Sequence, residues 1–252
     1  MTERKELEAL RAENARLRET LRQRETLIRN TFGRYLTAEV LEKILTDGDV
    51  IKLGGERRVV SILLSDLRRS TELSEQMDAA DFICMLNHYF GEMIEIINAW
   101  QGNILEFVGD SIVAVFGAPR ENEYSARDAA ACAVAMQRCM ARVNAWNRER
   151  GYPEIAMGIG LHTGEAILGN IGSETRMKYD MIGRNVNLAA RVQSYTEGGQ
   201  ILATAEFVQA AGELVHLRES GTIRVRPKGI REQILLYDVI GFGTQKMEKG
   251  ET

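Results

Sequence analysis

A chain of 252 residues, 44% hydrophobic and 27% charged, can bury a substantial core and still carry appendages. Its net charge of −4 and pI near 5.6 argue against a nucleic-acid binder, which would present a basic stripe. No apolar run approaches the ~20 residues that cross a bilayer, the N-terminus has no signal-peptide core, and the three cysteines form no CxxC motif, so a cytoplasmic protein without a membrane segment is expected.

Residues 1–28 carry a heptad seam: Leu7, Leu10, Asn14, Leu17, Leu21, Arg24 and Ile28 alternate spacings of three and four. Asn14 takes an a position, where a buried amide favours a parallel, in-register pair. Glu6 with Arg11 and Glu13 with Arg18 fall at g and following e positions and can pair across such a dimer. A dimerising coiled coil is therefore expected. Residues 29–57 read as a connector, with Thr37 capping a short helix through Leu45 before Asp47-Gly48-Asp49 and Gly54-Gly55 break it.

From residue 58 the pattern alternates β and α. A strand over 58–65 leads into the loop Arg68-Arg69-Ser70-Thr71. Phe82, Leu86, Tyr89, Phe90, Met93 and Ile97 predict a helix. A hairpin over 103–116 turns at Asp110, and a helix over 125–150 places Ala129, Cys132, Met136, Met140 and Val143 on one face. Cys132 and Cys139 read as small core residues. A strand over 154–162, a turn at Thr163-Gly164 and a strand over 165–171 follow. The remainder predicts a strand near 178–182, a helix near 185–196 and β-rich segments through Val239. This β-α-β-β-α-β order predicts an α+β fold: a ferredoxin-like antiparallel sheet backed by helices over 58–241, then a disordered tail over 242–252.

Two aspartates stand out. Asp66 closes the apolar run from Val59, and Asp110 sits in the turn of Glu106-Phe107-Val108-Gly109-Asp110-Ser111. A strand end and a neighbouring hairpin turn can bring two carboxylates together, where they repel unless a divalent cation sits between them. The pattern points to a two-metal phosphoryl-transfer site. Asn187 and Arg191 are spaced i, i+4 and project from one helix face. His162 reads as a structural residue at a strand end. Gly158-Ile159-Gly160 lies inside a strand without the following helix of a dinucleotide site.

The stretches Ser65-Asp66-Leu67-Arg68, Gly109-Asp110-Ser111 and Gly183-Arg184-Asn185-Val186-Asn187-Leu188-Ala189-Ala190-Arg191 resemble the class III adenylate/guanylate cyclase catalytic domain over about residues 30–240. The resemblance implies that Asp66, Leu67 and Asp110 hold two Mg²⁺ or Mn²⁺ ions, and that a nucleoside triphosphate is closed to a 3′,5′-cyclic monophosphate and pyrophosphate. It implies that Asn187 orients the ribose, that Arg191 stabilises the transferring phosphate, and that Lys228 binds the triphosphate. Arg176 is a further candidate phosphate contact, and the loop through Thr71 could offer backbone N–H groups to phosphates. The family usually has Gly-Phe where this chain has Arg69-Ser70.

Glu106 and Asp180 match the family's purine-reading pair, but as a mixture: the glutamate is of guanine type, the aspartate of adenine type. Two carboxylates sharing a proton could read adenine, and ATP is the expected substrate, with GTP the alternative. A degenerate cyclase domain used for dimerisation or sensing, and a pyrimidine-nucleotide cyclase, are further alternatives. A diguanylate-type enzyme is disfavoured by the missing Gly-Gly-Asp-Glu-Phe signature. In homodimeric cyclases that this chain resembles, the active sites are shared: Asp66 and Asp110 of one chain would face Glu106, Asp180, Asn187, Arg191 and Lys228 of the other. The seam at residues 7–28 could couple both sites to an upstream sensor partner.

Overall fold

The computed structural model describes residues 2–32, 53–226 and 233–247. It divides into two units, residues 1–52 and 53–252. In the first, helix α1 spans Thr2–Phe32, four residues beyond the expected end of the seam. Leu10, Leu17, Leu21 and Ile28 are all exposed on it. The expected connector helix after Thr37 lies outside the described residues.

The second unit is built on a nine-stranded sheet. Its first strand, β1 (Gly54–Leu67), starts four residues before the expected 58 and carries an unbroken buried run, Val60–Leu63, as a strand covered on both faces must. Helices α2 (Ser70–Gln76) and α3 (Ala79–Ala99) follow, so Ser70 and Thr71, expected in a loop, open a helix. Asp78 caps α3 by accepting from the Ala80 amide at 2.9 Å, and Met85, Tyr89, Met93 and Ile97 bury one stripe at four-residue spacing. Strands β2 (Asn103–Val108) and β3 (Ser111–Phe116) form the hairpin around Asp110, and α4 (Ser125–Glu149) returns behind the sheet. Cys132 and Cys139 are buried in α4; burial pushes the Cys139 thiol up to about 11 and the Cys132 thiol higher still.

The expected turn at Thr163-Gly164 does not occur. Strand β4 (Met157–Ser173) runs straight through, paired with β1 from Gly54↔Asn170 to Leu67↔Met157. Gly164 is there for space rather than for a turn: a Cβ on it would fall 2.5 Å from Asn185 Nδ2. Likewise Gly160 lets the chain at Gln193 approach, since a Cβ would sit 2.4 Å from its backbone N. Strand β5 (Arg176–Ile182) pairs back on β4, and α5 (Arg184–Ser194) follows. Strand β6 (Ile201–Thr204), helix α6 (Ala205–Ala211), β7 (Val215–Val225), β8 (Ile234–Phe242) and β9 (Gln245–Lys246) complete the unit.

The order β2-β3-β1-β4-β6-β8-β7 has a ferredoxin-like antiparallel group, β2-β3-β1-β4. This is the expected ferredoxin-like arrangement; beyond it β6 joins β4 in parallel after the α5 crossover. The sequence reading also ends the domain at Gly241, whereas Phe242 pairs with Gln245 across a turn with Gly243 at φ 55°, so the sheet continues through Lys246.

Neighbouring strand residues serve opposite cores. Leu63, Ala114 and Phe116 pack with α3, α4 and α6, while Val60, Ile62 and Val115 pack with Ala189 of α5 and Met181 of β5. Leu105, Val113 and Tyr179 join the second cluster, which brings β5 and the β2–β3 hairpin to the same side of the sheet.

Candidate active site

Asp66 and Asp110 are brought together. Asp66 is the penultimate residue of β1, and Asp110 sits in the β2–β3 turn behind Gly109, whose φ of 63° is the reason for a glycine there. The Leu67 amide donates to Asp110 Oδ2 at 3.0 Å. Arg68 donates to Asp66 Oδ2 at 2.8 Å, and the Ser111 hydroxyl donates to Asp66 Oδ1. Burial and then the charge of Asp66 push the Asp110 carboxyl above its ordinary range. Two oxygen donors that destabilise each other's charge, with the Leu67 carbonyl between them in sequence, are a donor set for a hard divalent cation. Among the described residues no group of three or more His, Cys, Asp or Glu side chains forms a metal cluster, so a cation here would rely on this pair, backbone oxygen and its ligand. Beneath the pair lies Tyr89, fully buried, with its hydroxyl 3.1 Å from Met157 Sδ.

A second group forms on the β5 side. Lys178 is ion-paired to Glu106 and lies 3.4 Å from Asp180 Oδ2. Burial works against its charge, but the Glu106 hydrogen bond and the Asp180 charge outweigh it and raise the ammonium above the ordinary lysine range. Asp180 is further oriented by accepting from the Met181 amide at 2.9 Å. The structure thus brings Glu106 and Asp180 to one cation that the sequence reading missed. The signal was present, because Lys178 and Asp180 are two apart on a strand and share a face.

Asn187 and Arg191 lie one turn apart on α5, Asn187 exposed and Arg191 half-buried. No hydrogen bond or ion pair among the described residues connects them to either carboxylate group. Thr71 is exposed in the first turn of α2, where its carbonyl accepts from Ser74 Oγ at 2.7 Å. Arg69, in the position before α2, adopts φ 62° and holds Glu72 by two hydrogen bonds of 2.8 Å. Arg176 stands at the β4–β5 turn, its amide on Ser173 Oγ, about 13 Å along the strand from Asp180 at ~3.3 Å per residue. Lys228 lies outside the described residues. Arg68 and Ser111, which orient Asp66, were not singled out from sequence, although each lies within two residues of one of the two aspartates.

An antiparallel ferredoxin-like core with paired carboxylates at a strand end and a hairpin turn is the arrangement expected of a nucleotidyl cyclase-type domain, though the fold alone does not fix the chemistry. The adenylate and guanylate cyclase catalytic domain model matches residues 55–241, and the chain belongs to that family. The guanylyl cyclase Cya2 superposes with a TM-score of 0.75 at 42% identity, over 78% of this chain and 100% of that one. The adenylyl cyclase CyaB from P. aeruginosa gives a TM-score of 0.72 at 32% identity, over 77% and 99%. Adenylate cyclase 1 of Rhizobium meliloti is 30% identical over 84% of this chain but only 32% of its own length. The chain spans about a third of the length of the curated relatives it matches. No helix among the described residues is long and apolar enough to cross a membrane.

Proposed function

We propose that this chain is a homodimeric nucleotidyl cyclase that converts GTP to 3′,5′-cyclic GMP and pyrophosphate. The observation that carries the activity is the convergence of Asp66 and Asp110, held by Leu67, Arg68 and Ser111, in a chain of the cyclase family. In the reaction the ribose 3′-hydroxyl gives up its proton to solvent, its oxygen forms a bond to the α-phosphorus, the bond from that phosphorus to the β-bridging oxygen breaks, and pyrophosphate leaves. Divalent cations bound by Asp66 and Asp110 would supply Lewis acidity at the attacking and leaving oxygens. The Leu67 amide keeps the Asp110 carboxylate aimed, and Arg68 and Ser111 do the same for Asp66. Arg191 of the second subunit would neutralise charge developing on the transferring phosphate, as an always-charged, multiply donating group can. Asn187 beside it would orient the ribose. Lys228, and Arg176 or the α2 head at Thr71, remain candidates for the triphosphate.

Lys178 supports GTP as the substrate. ATP is expected from the resemblance because adenylate formation is the commoner outcome in soluble members of the family, with a proton shared by Glu106 and Asp180 as the way the pair would read adenine. An ammonium seated against both makes that proton unnecessary. A charged Glu106 accepts from the guanine N1–H and 2-amino group and repels the lone pair of adenine N1. Lys178 can donate to guanine O6 and offsets the charge of Asp180 there. Similarity to a guanylyl cyclase at 42% identity supports the same reading. Asp180 favours ATP as the second reading, since its carboxylate can accept from the adenine amino group, and CyaB and the Rhizobium meliloti enzyme are adenylate-forming relatives.

The test is incubation of the purified chain with each of the four nucleoside triphosphates and Mn²⁺ or Mg²⁺, with products identified by mass spectrometry. Cyclic GMP and pyrophosphate in equal amounts are expected. No cyclic nucleotide from any substrate would leave a dimerisation or sensing module.

A further inference from the structure

The start of α5 is held in an unusual way. Its N-cap is Gly183, which has no side chain to satisfy the first amides, and the first turn contains no acid. Instead Asn185 reaches back to the sheet: its Nδ2 donates to the backbone oxygen of Glu165 at 2.8 Å. The same carboxamide lies beside Nε2 of His162, both of them pressed against Gly164, where a Cβ would fall 2.5 Å from Asn185 Nδ2 and 2.9 Å from His162 Nε2. On the other side of the ring, His162 Nδ1 faces Thr204 Oγ1 at 2.8 Å, and Thr204 in turn accepts from the Phe207 amide at the head of α6.

The ring is anchored through Nδ1, while the buried Nε2 has no hydrogen-bond partner and packs beside the Asn185 carboxamide. One hydrogen of the Asn185 amide goes to the Glu165 oxygen, and the carboxamide lies against Nε2 without a hydrogen bond to it. A neutral imidazole accepts at one nitrogen and donates at the other, here Nδ1–H to the Thr204 hydroxyl. The ring is 2% exposed, and burial lowers its pKa, which favours the neutral imidazole. Outside the ring a cleft of about 640 Å³ opens along Arg57, Glu165, Arg184 and Glu206. The head of α5 is therefore not packed in on every side, and the Asn185 attachment fixes it.

We propose that His162 and Asn185 are positioning residues for catalysis: together they fix the first turn of α5 on β4 and so set where Asn187 and Arg191 meet the substrate. Neither touches the nucleotide. The inference rests on the cyclase reading for its catalytic consequence, but not for the attachment itself.

Asn185→Ala and His162→Phe are compared with the parent and with the double variant as full-length protein. Each single variant should remain dimeric and bind a non-cyclisable triphosphate analogue within about twofold of the parent, while kcat falls tenfold or more and KM moves less than threefold. Because the two side chains act as one unit, the double variant should lose no more than the worse single. His162→Gln, which keeps a polar group beside Asn185, should retain more kcat than His162→Phe, and it replaces His162→Phe in the cycle should the latter not fold. Hydrogen exchange at the amides of residues 187–191 should accelerate in both single variants, and this is readable without turnover. Unchanged kcat, losses that multiply in the double variant, or unchanged exchange would overturn the proposal. An inactive parent with accelerated exchange in the variants would sink the cyclase reading and leave the attachment standing.

Discussion

The Leu67 amide donates to Asp110 Oδ2 over 3.0 Å, so the end of β1 and the β2–β3 turn hold each other directly. Asparagine at 110 preserves that acceptor and removes only the charge. Burial and the neighbouring Asp66 raise the Asp110 pKa above its ordinary 3.8, so the folded protein holds this proton more tightly than the unfolded chain. Stability from that preference is complete below pH 3.8 and is lost as pH rises through the raised value. At neutral pH in EDTA, Asp110→Asn should thus melt at the same temperature as the parent or higher. Adding Mn²⁺ should stabilise the parent, by about 2.7 kcal/mol at 100 times Kd, and leave the variant unmoved and inactive. Calorimetry with and without the ion checks this; equal Mn²⁺ stabilisation of both proteins would show that Asp110 is no ligand.

Lys178 gives a prediction about selectivity. Lys178→Ala leaves Glu106 and Asp180 facing each other without their cation, and guanine loses a donor to O6. The GTP kcat/KM should fall by about an order of magnitude or more, on the scale of ~1.5–3 kcal/mol for a lost hydrogen bond to a charged group, with a smaller effect on ATP. Glu106→Lys should shift preference toward ATP, since a lysine can donate to adenine N1 beside an Asp180 that accepts from the amino group. Competition assays with both nucleotides in one vessel measure the ratio directly. A ratio unmoved by either variant would place base reading elsewhere.

The convergence of Asp66 and Asp110 was legible because one closes an apolar β-run and the other sits in a hairpin turn, and the core helices because their apolar residues repeat at three and four. The straight passage of β4 through Thr163-Gly164 was not. Thr-Gly reads locally as a turn, and only the tertiary approach of Asn185 shows that the glycine serves packing. The parallel β4–β6 pair was hidden for a similar reason, since partners distant in sequence leave no local trace. Lys178 belongs to no motif that the sequence offers, and only strand alternation, which puts it on the same face as Asp180, points to it.

Gly160 tests the packing of α5 independently of chemistry. A methyl there would collide with the backbone at Gln193, which cannot move aside as a flexible side chain would. Gly160→Ala should cost about 1–3 kcal/mol, the usual penalty for overpacking. Urea denaturation should show a lower midpoint with an unchanged slope. A midpoint equal to the parent's would mean that α5 relaxes away from β4 freely.

The shared-site reading predicts complementation. Asp66→Asn and Arg191→Ala should each be inactive alone, since every site in either homodimer lacks one partner. Mixed in equal amounts and allowed to exchange, half of the dimers are hybrids, and each hybrid has one intact site of two, giving about a quarter of parental activity. Co-purification with two different tags isolates the hybrid and should raise this to about half. A hybrid without activity would mean that both residues serve the same site from one chain.

Leu10, Leu17, Leu21 and Ile28 recur at spacings of seven, four and seven on α1, as a heptad seam does, and are exposed, each 38–62% accessible. Such a stripe is stabilised by a second copy of the same helix, and Asn14 at an a position favours the parallel register that two joined catalytic domains require. Removing residues 1–28 should therefore leave the catalytic unit folded but weaken its dimer, because the remaining interface must associate without the tether. Specific activity of the truncated chain should fall on dilution and recover at high protein concentration, while the full chain stays constant over the same range. Asn14→Leu should act oppositely on stability, raising the melting temperature of the α1 dimer while relaxing its preference for two in-register strands. Sedimentation equilibrium alongside dilution assays measures both effects. A truncated chain whose activity and mass do not depend on concentration would show that α1 has no part in holding the dimer.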